Sequence, residues 1–127
     1  MSHAREMLDA APGPVHLGVA EVAAAIDACT DTAQACTSCA DSCLAEEDVA
    51  TMRECIGRCL DCADVCGATA RVLSRQTRYD NLLIHRLLHA CVRACAGCAE
   101  ACRACERACR VLLDAEAFED LKALAGG

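Results

Sequence analysis

Small apolar residues recur three and four positions apart along most of this chain. One run reads Val22, Ile26, Cys29, Cys36, Cys39, Cys43, and a second reads Met52, Cys55, Cys59, Cys62, Cys66, Leu73. A third reads Ile84, Leu88, Cys91, Cys95, Cys98, Cys102, Cys105, Cys109, Leu112. That spacing puts each run on one face of an α-helix. No segment alternates with period two, so no strands are expected. Both prolines, Pro12 and Pro14, fall in one short break, after which Ala, Leu, Arg and Glu dominate. The pattern predicts a first helix from about Val15 to Glu46, with Pro14 in its first turn. A second runs from about Val49 to Arg75 behind Asp48 as N-cap. The third runs uninterrupted from Asn81 to Leu113, about 50 Å long, with Asp80 or Asn81 as its cap. The tail from Asp114 to Leu124 is amphipathic through Phe118, Leu121 and Leu124, and either continues that helix or bends back as a short one. Residues 2–10 could form a short polar helix.

Short connections make consecutive helices antiparallel neighbours. The expected fold is all-α: an antiparallel helical bundle of four-helix type with a cysteine-lined core. Three long helices and a short C-terminal segment would come from each chain. Residues 1–14 form an N-terminal segment and residues 15–127 the bundle. In this arrangement Cys43, Met52, Cys55 and Cys109 share one end, and Val22, Ile26, Leu73, Ile84 and Leu88 gather at the other. The core would be a hydrocarbon plug followed by a thiol-lined tube.

Composition sharpens this picture. The chain has 127 residues, 14 of them Cys, with no Trp, one Phe and one Tyr. The usual aromatic share of a core is absent, so bound metal would add stability by favouring the folded state. The net charge of −7, with no basic block, argues against nucleic acid as a partner. No apolar run approaches the ~20 residues that span a bilayer, and the N-terminal residues do not read as a secretory signal. A cytoplasmic location, where thiols stay reduced, is expected.

Thiols in helical register are a soft ligand set, suited to Cu(I), Zn(II) or iron–sulfur clusters. A tetrahedral Zn(II) bound by four thiolates keeps two net negative charges, and no cation lies on the stripes to offset them. One monovalent Cu(I) per thiolate leaves the tube neutral, so charge balance favours multiple Cu(I) ions per chain. The candidate ligands are Cys29, Cys36, Cys39, Cys43, Cys55, Cys59, Cys62, Cys66, Cys91, Cys95, Cys98, Cys102, Cys105 and Cys109. The alternative is an iron–sulfur or other thiolate-metal electron-transfer protein, although such ligands usually sit on irregular loops. A metal-free bundle, with Cys as a small hydrophobe, is a third reading. No Ser, Lys or carboxylate is paired with a His in a recognisable catalytic arrangement, so no enzyme is expected.

The segments CTDTAQACTSCADSCL, CIGRCLDCADVCGATARVLS and CVRACAGCAEACRACERACRVLL resemble the bacterial copper storage proteins. The resemblance covers about Val15 to Leu113. It implies a four-helix bundle holding many Cu(I) ions on cysteine thiolates, a cytosolic location and homo-oligomers. Cys29 to Cys66 fall on the family's first two helices. The chain departs from the family where Cys91 to Cys109 read as one segment, without the turn and His-rich loop between a third and a fourth helix. Either the tail or a second chain would then supply the missing wall, and self-association is the expectation. Met52 lies where copper would pass inward in the family. His85 and His89 read as surface or interface residues, and His3 and His16 lie outside the pattern. Function is therefore expected to be high-capacity Cu(I) storage, buffering or detoxifying copper.

Overall fold

The computed structural model describes residues 2–96 and 100–126, and the side chains of residues 2–96 and 102–116. Five α-helices occur among the described residues: α1 His3–Ala10, α2 Val19–Leu44, α3 Arg53–Ser74, α4 Asn81–Cys95 and α5 Glu100–Gly126. A single 3₁₀ turn, Val49–Met52, precedes α3, and no strand occurs among the described residues. Helices α2 and α3 pack along each other, α4 lies against α3, and α5 lies against both α2 and α4. Four helices of one chain thus enclose a common interior, and α1 rests on α2 through its buried Leu8.

Local sequence explains most of these boundaries. The Ser2 hydroxyl accepts from the Arg5 amide at 3.1 Å and caps α1. Asp80 Oδ1 accepts from the Leu83 amide at 3.1 Å and caps α4. Helix α2 starts at Val19, later than Pro14 suggests, because residues 15–18 are held by tertiary contacts. The His16 amide donates to Gln76 Oε1 at 2.8 Å. Val15 and Leu17 pack against the core, with Leu17 at a φ of 67°. Left-handed backbone costs a branched residue roughly 1–2 kcal/mol, which this anchoring offsets. Asp48 stands at the N-cap position of the 3₁₀ turn, without a side-chain capping hydrogen bond, and not at that of α3, which begins at Arg53.

The expected third helix from Asn81 to Leu113 is corrected. Helix α4 ends at Cys95, with Ala96 extended at φ −63°, ψ 126°, and a new helix runs from Glu100 to Gly126. Cys91 and Cys105, fourteen positions apart, would be about 21 Å apart on a straight helix, yet their sulfurs are 3.6 Å apart. The chain has folded back on itself. The reason is burial: an unbroken helix would leave the thiol stripes of α2 and α3 facing water, whereas α5 covers them. The three-long-helix count and the short C-terminal segment fall with it, because the tail is the second half of the 27-residue α5. A second chain is no longer needed to close the tube. Cys109 also moves, from the Cys43 end to the plug end, where it neighbours Cys29.

Leu73, Ile84, Leu88, Leu112, Val22 and Ile26 are buried, as are the inner thiols. The side chains of Phe118, Leu121 and Leu124 lie outside the described residues. No described helix is long and apolar enough to cross a membrane.

Candidate metal centre

Because the stripes of α2 and α3 face those of α4 and α5, the thiols meet in a file along the interior. Deepest, beside the plug, Cys29 contacts Cys105 at 3.4 Å, Cys91 at 3.8 Å and Cys109 at 4.0 Å. One step outward, Cys66 lies 3.6 Å from both Cys91 and Cys95 and 3.7 Å from Cys105. Next, Cys62 reaches Cys95 and Cys102 at 3.7 Å, and Cys36 reaches Cys102 at 3.4 Å. Cys39, Cys55 and Cys59 form the outer trio. Cys43 and Cys55 stand 4.0 Å apart at the open end, with Cys55 exposed.

Four groups of thiols have all their sulfurs within 4.8 Å of one another, so each could hold a metal ion: Cys29, Cys91, Cys105, Cys109; Cys66, Cys91, Cys95, Cys105; Cys36, Cys62, Cys102; and Cys39, Cys55, Cys59. Cys91 and Cys105 belong to two groups, which is the arrangement bridging thiolates need. Thirteen of the candidate cysteines are described, as thiols rather than disulfides. Cys98 lies outside the described residues.

Electrostatics follow from crowding. The network of shared S–H hydrogen bonds pulls the thiols apart in acidity. Contact with Cys105 raises the pKa of Cys29, Cys66, Cys95 and Cys109. Contact first with Cys66 and then with Cys95 holds Cys62 below the ordinary thiol value. Cys91 is lowered by Cys105, and Cys105 by Cys109. Toward the mouth, desolvation and then Cys55 push Cys43 up to about 11. Desolvation and then Cys39 push Cys59 up to about 12. An interior with few negative charges and many bound protons binds a cation by exchanging protons for it.

Four polar residues are buried among the described residues: Thr32, Thr69, Gln76 and Glu116. Thr32 and Thr69 are fully buried, at positions where the α2 and α3 stripes continue between Cys29 and Cys36 and between Cys66 and Leu73. Glu116, 7% exposed, accepts from the Tyr79 hydroxyl at 3.2 Å and meets His85 Nδ1 at 3.3 Å. Burial, and secondarily this carboxylate, raise the Tyr79 pKa. Glu116 follows Leu112 by four positions, so the α5 stripe itself points to its burial. None of the histidines singled out by sequence belongs to the four thiol groups. His85 and His89 meet edge to face at 4.6 Å, and His16 stacks on Tyr79 at 4.4 Å. Met52 is half-buried at the head of α3.

Comparison with known proteins agrees with this interior. The family model described as copper storage protein matches residues 19–114. The copper storage protein Ccsp from Streptomyces lividans, loaded with 10 copper equivalents, is 41% identical. Its structure covers 88% of this chain and 98% of its own at a TM-score of 0.85. A variant of Ccsp with one histidine replaced by alanine is 44% identical, with coverages of 79% and 98% and a TM-score of 0.76. A third structure, of a cytosolic copper storage protein from the same organism with five coppers, is 44% identical. It covers 78% of this chain and 91% of its own at a TM-score of 0.61. Comparison with curated proteins yields no match. With the family model running from the first residue of α2 into α5, the chain belongs to the copper storage protein family.

Proposed function

We propose that this protein is a cytosolic, high-capacity store of Cu(I), held on the cysteine thiolates of an antiparallel four-helix bundle and performing no catalysis. The observation that carries the reading is the file of thiols itself: four ion-sized groups, two of them sharing sulfurs, in an interior built from α2, α3, α4 and α5. Each Cu(I) takes two or three of these sulfurs and cancels about one thiolate charge. A chain of bridged ions therefore fills the tube without leaving charge buried. All fourteen cysteines serve, Cys98 completing the register between Cys95 and Cys102 in sequence. Residues 15–127 form the storing unit and residues 1–14 an appended segment. Homo-oligomerisation stays in the reading, supported now by exposed Leu60, Leu82, Leu83 and Val111 rather than by an open groove.

The test is stoichiometry. Reduced apo-protein titrated anaerobically with Cu(I) against a competing chelator takes up roughly ten or more ions per chain. Saturation at one or two ions overturns the storage reading.

A further inference from the structure

The inner thiols are sealed from water and the outermost pair is not. Cys55 is exposed and Cys43 half-buried, with their sulfurs 4.0 Å apart across the α2–α3 connection. Deeper pairs are closer, 3.4 Å for Cys36–Cys102 and Cys29–Cys105, but all four of those residues are buried. Contact distance alone therefore does not single out the mouth; access to a solvated ion does. Between Cys43 and Cys55 the chain carries Glu46, Glu47 and Asp48, all exposed and in no ion pair among the described residues. Three such carboxylates concentrate cations at the mouth, and a dication more than a monocation.

We propose that Cys43 and Cys55 form a reducing site for Cu(II), turning it into the Cu(I) that the interior holds. This rests on the storage reading, since the product needs a place to go. Two S–H bonds break and one Cys43–Cys55 S–S bond forms. The two electrons released reduce two Cu(II) to two Cu(I), and two protons leave to water. The disulfide returns to the dithiol by exchange with a small-molecule thiol, for which exposure of Cys55 is the requirement. The pair can be spent without emptying the store. None of the three inner groups contains Cys43 or Cys55, and only the outer trio loses a ligand while the disulfide stands. The reducing equivalents come from the mouth, so the sulfurs of the three inner groups stay reduced.

The test uses full-length, reduced, copper-free protein mixed anaerobically with aqueous Cu(II), followed by the electron paramagnetic resonance of Cu(II) and by peptide mapping. A fast phase that consumes about two Cu(II) per chain and leaves one Cys43–Cys55 disulfide is expected. Cys43→Ser and Cys55→Ser each slow that phase by about tenfold or more, whereas Ser42→Ala, an exposed position beside the pair and outside the thiol groups, retains it. An unchanged fast phase in both pair variants, or disulfides spread over the buried cysteines, overturns the proposal. Direct addition of Cu(I) separates the two readings. Normal Cu(I) uptake with persistent Cu(II) sinks the reducing site alone, and failure to take up Cu(I) sinks the store.

Discussion

Cys62 shows what single positions do here. Its sulfur lies within 3.8 Å of Cys66, Cys95 and Cys102, linking α3 to both α4 and α5. Cys62→Val adds about one methyl group to a fully buried position, so the apo-protein loses about 1–3 kcal/mol. The same variant loses about one to two bound Cu(I) per chain, counted by elemental analysis of loaded protein. Unchanged copper content would make the thiols mere core packing. Glu116 is the converse case, a buried polar residue away from the thiols. Glu116→Leu leaves the half-buried Tyr79 hydroxyl without its acceptor and destabilises the fold by about 1–3 kcal/mol in urea unfolding, with copper capacity unaltered. That the described cysteines meet in one interior was legible from spacing, although the end that Cys109 reaches was not. Glu116 was not, although Cys105, Cys109, Leu112 and Glu116 continue one stripe, because a carboxylate there reads as solvated until Tyr79 and His85 are seen to meet it.

At the scale of elements, the sequence misleads at one place for a clear reason. The steps from Cys91 to Cys109 keep helical spacing straight through residues 97–99, and a periodic pattern does not register a reversal of direction when both arms use the same stripe. Gly97, the residue after Ala96, was the available local signal, as glycine commonly follows a helix end. The start of α2 was hidden for another reason: Gln76, sixty positions away, fixes residues 15–18. The α4 cap, by contrast, was readable to within one residue, Asp80 or Asn81, and it is Asp80. Asp80→Ala removes the acceptor for the Leu83 amide and costs about 1 kcal/mol, seen as a melting point lowered by a few degrees in the apo-protein. Asp80→Asn retains it.

For the whole molecule, the thiols couple stability to pH and to metal. Cys43 and Cys59 have ordinary values of 9.0 and folded values raised to about 11 and about 12. The native state therefore holds protons that the unfolded chain releases first. Their contribution is fully present below pH 9.0 and is lost as pH rises toward 12. Chemical denaturation of apo-protein across that range shows a falling midpoint. Copper-loaded protein, whose thiolates are already deprotonated and paired, lacks this alkaline loss. Loading at neutral pH releases about one proton for each protonated thiol engaged, measurable in weakly buffered solution.

The most direct measurement is anomalous diffraction at the copper edge from crystals of Cu(I)-loaded protein. A file of copper peaks bonded to sulfur is expected, running from the Cys29, Cys91, Cys105 and Cys109 group out to Cys39, Cys55 and Cys59. Copper confined to surface histidines, with the thiol interior empty, would contradict it.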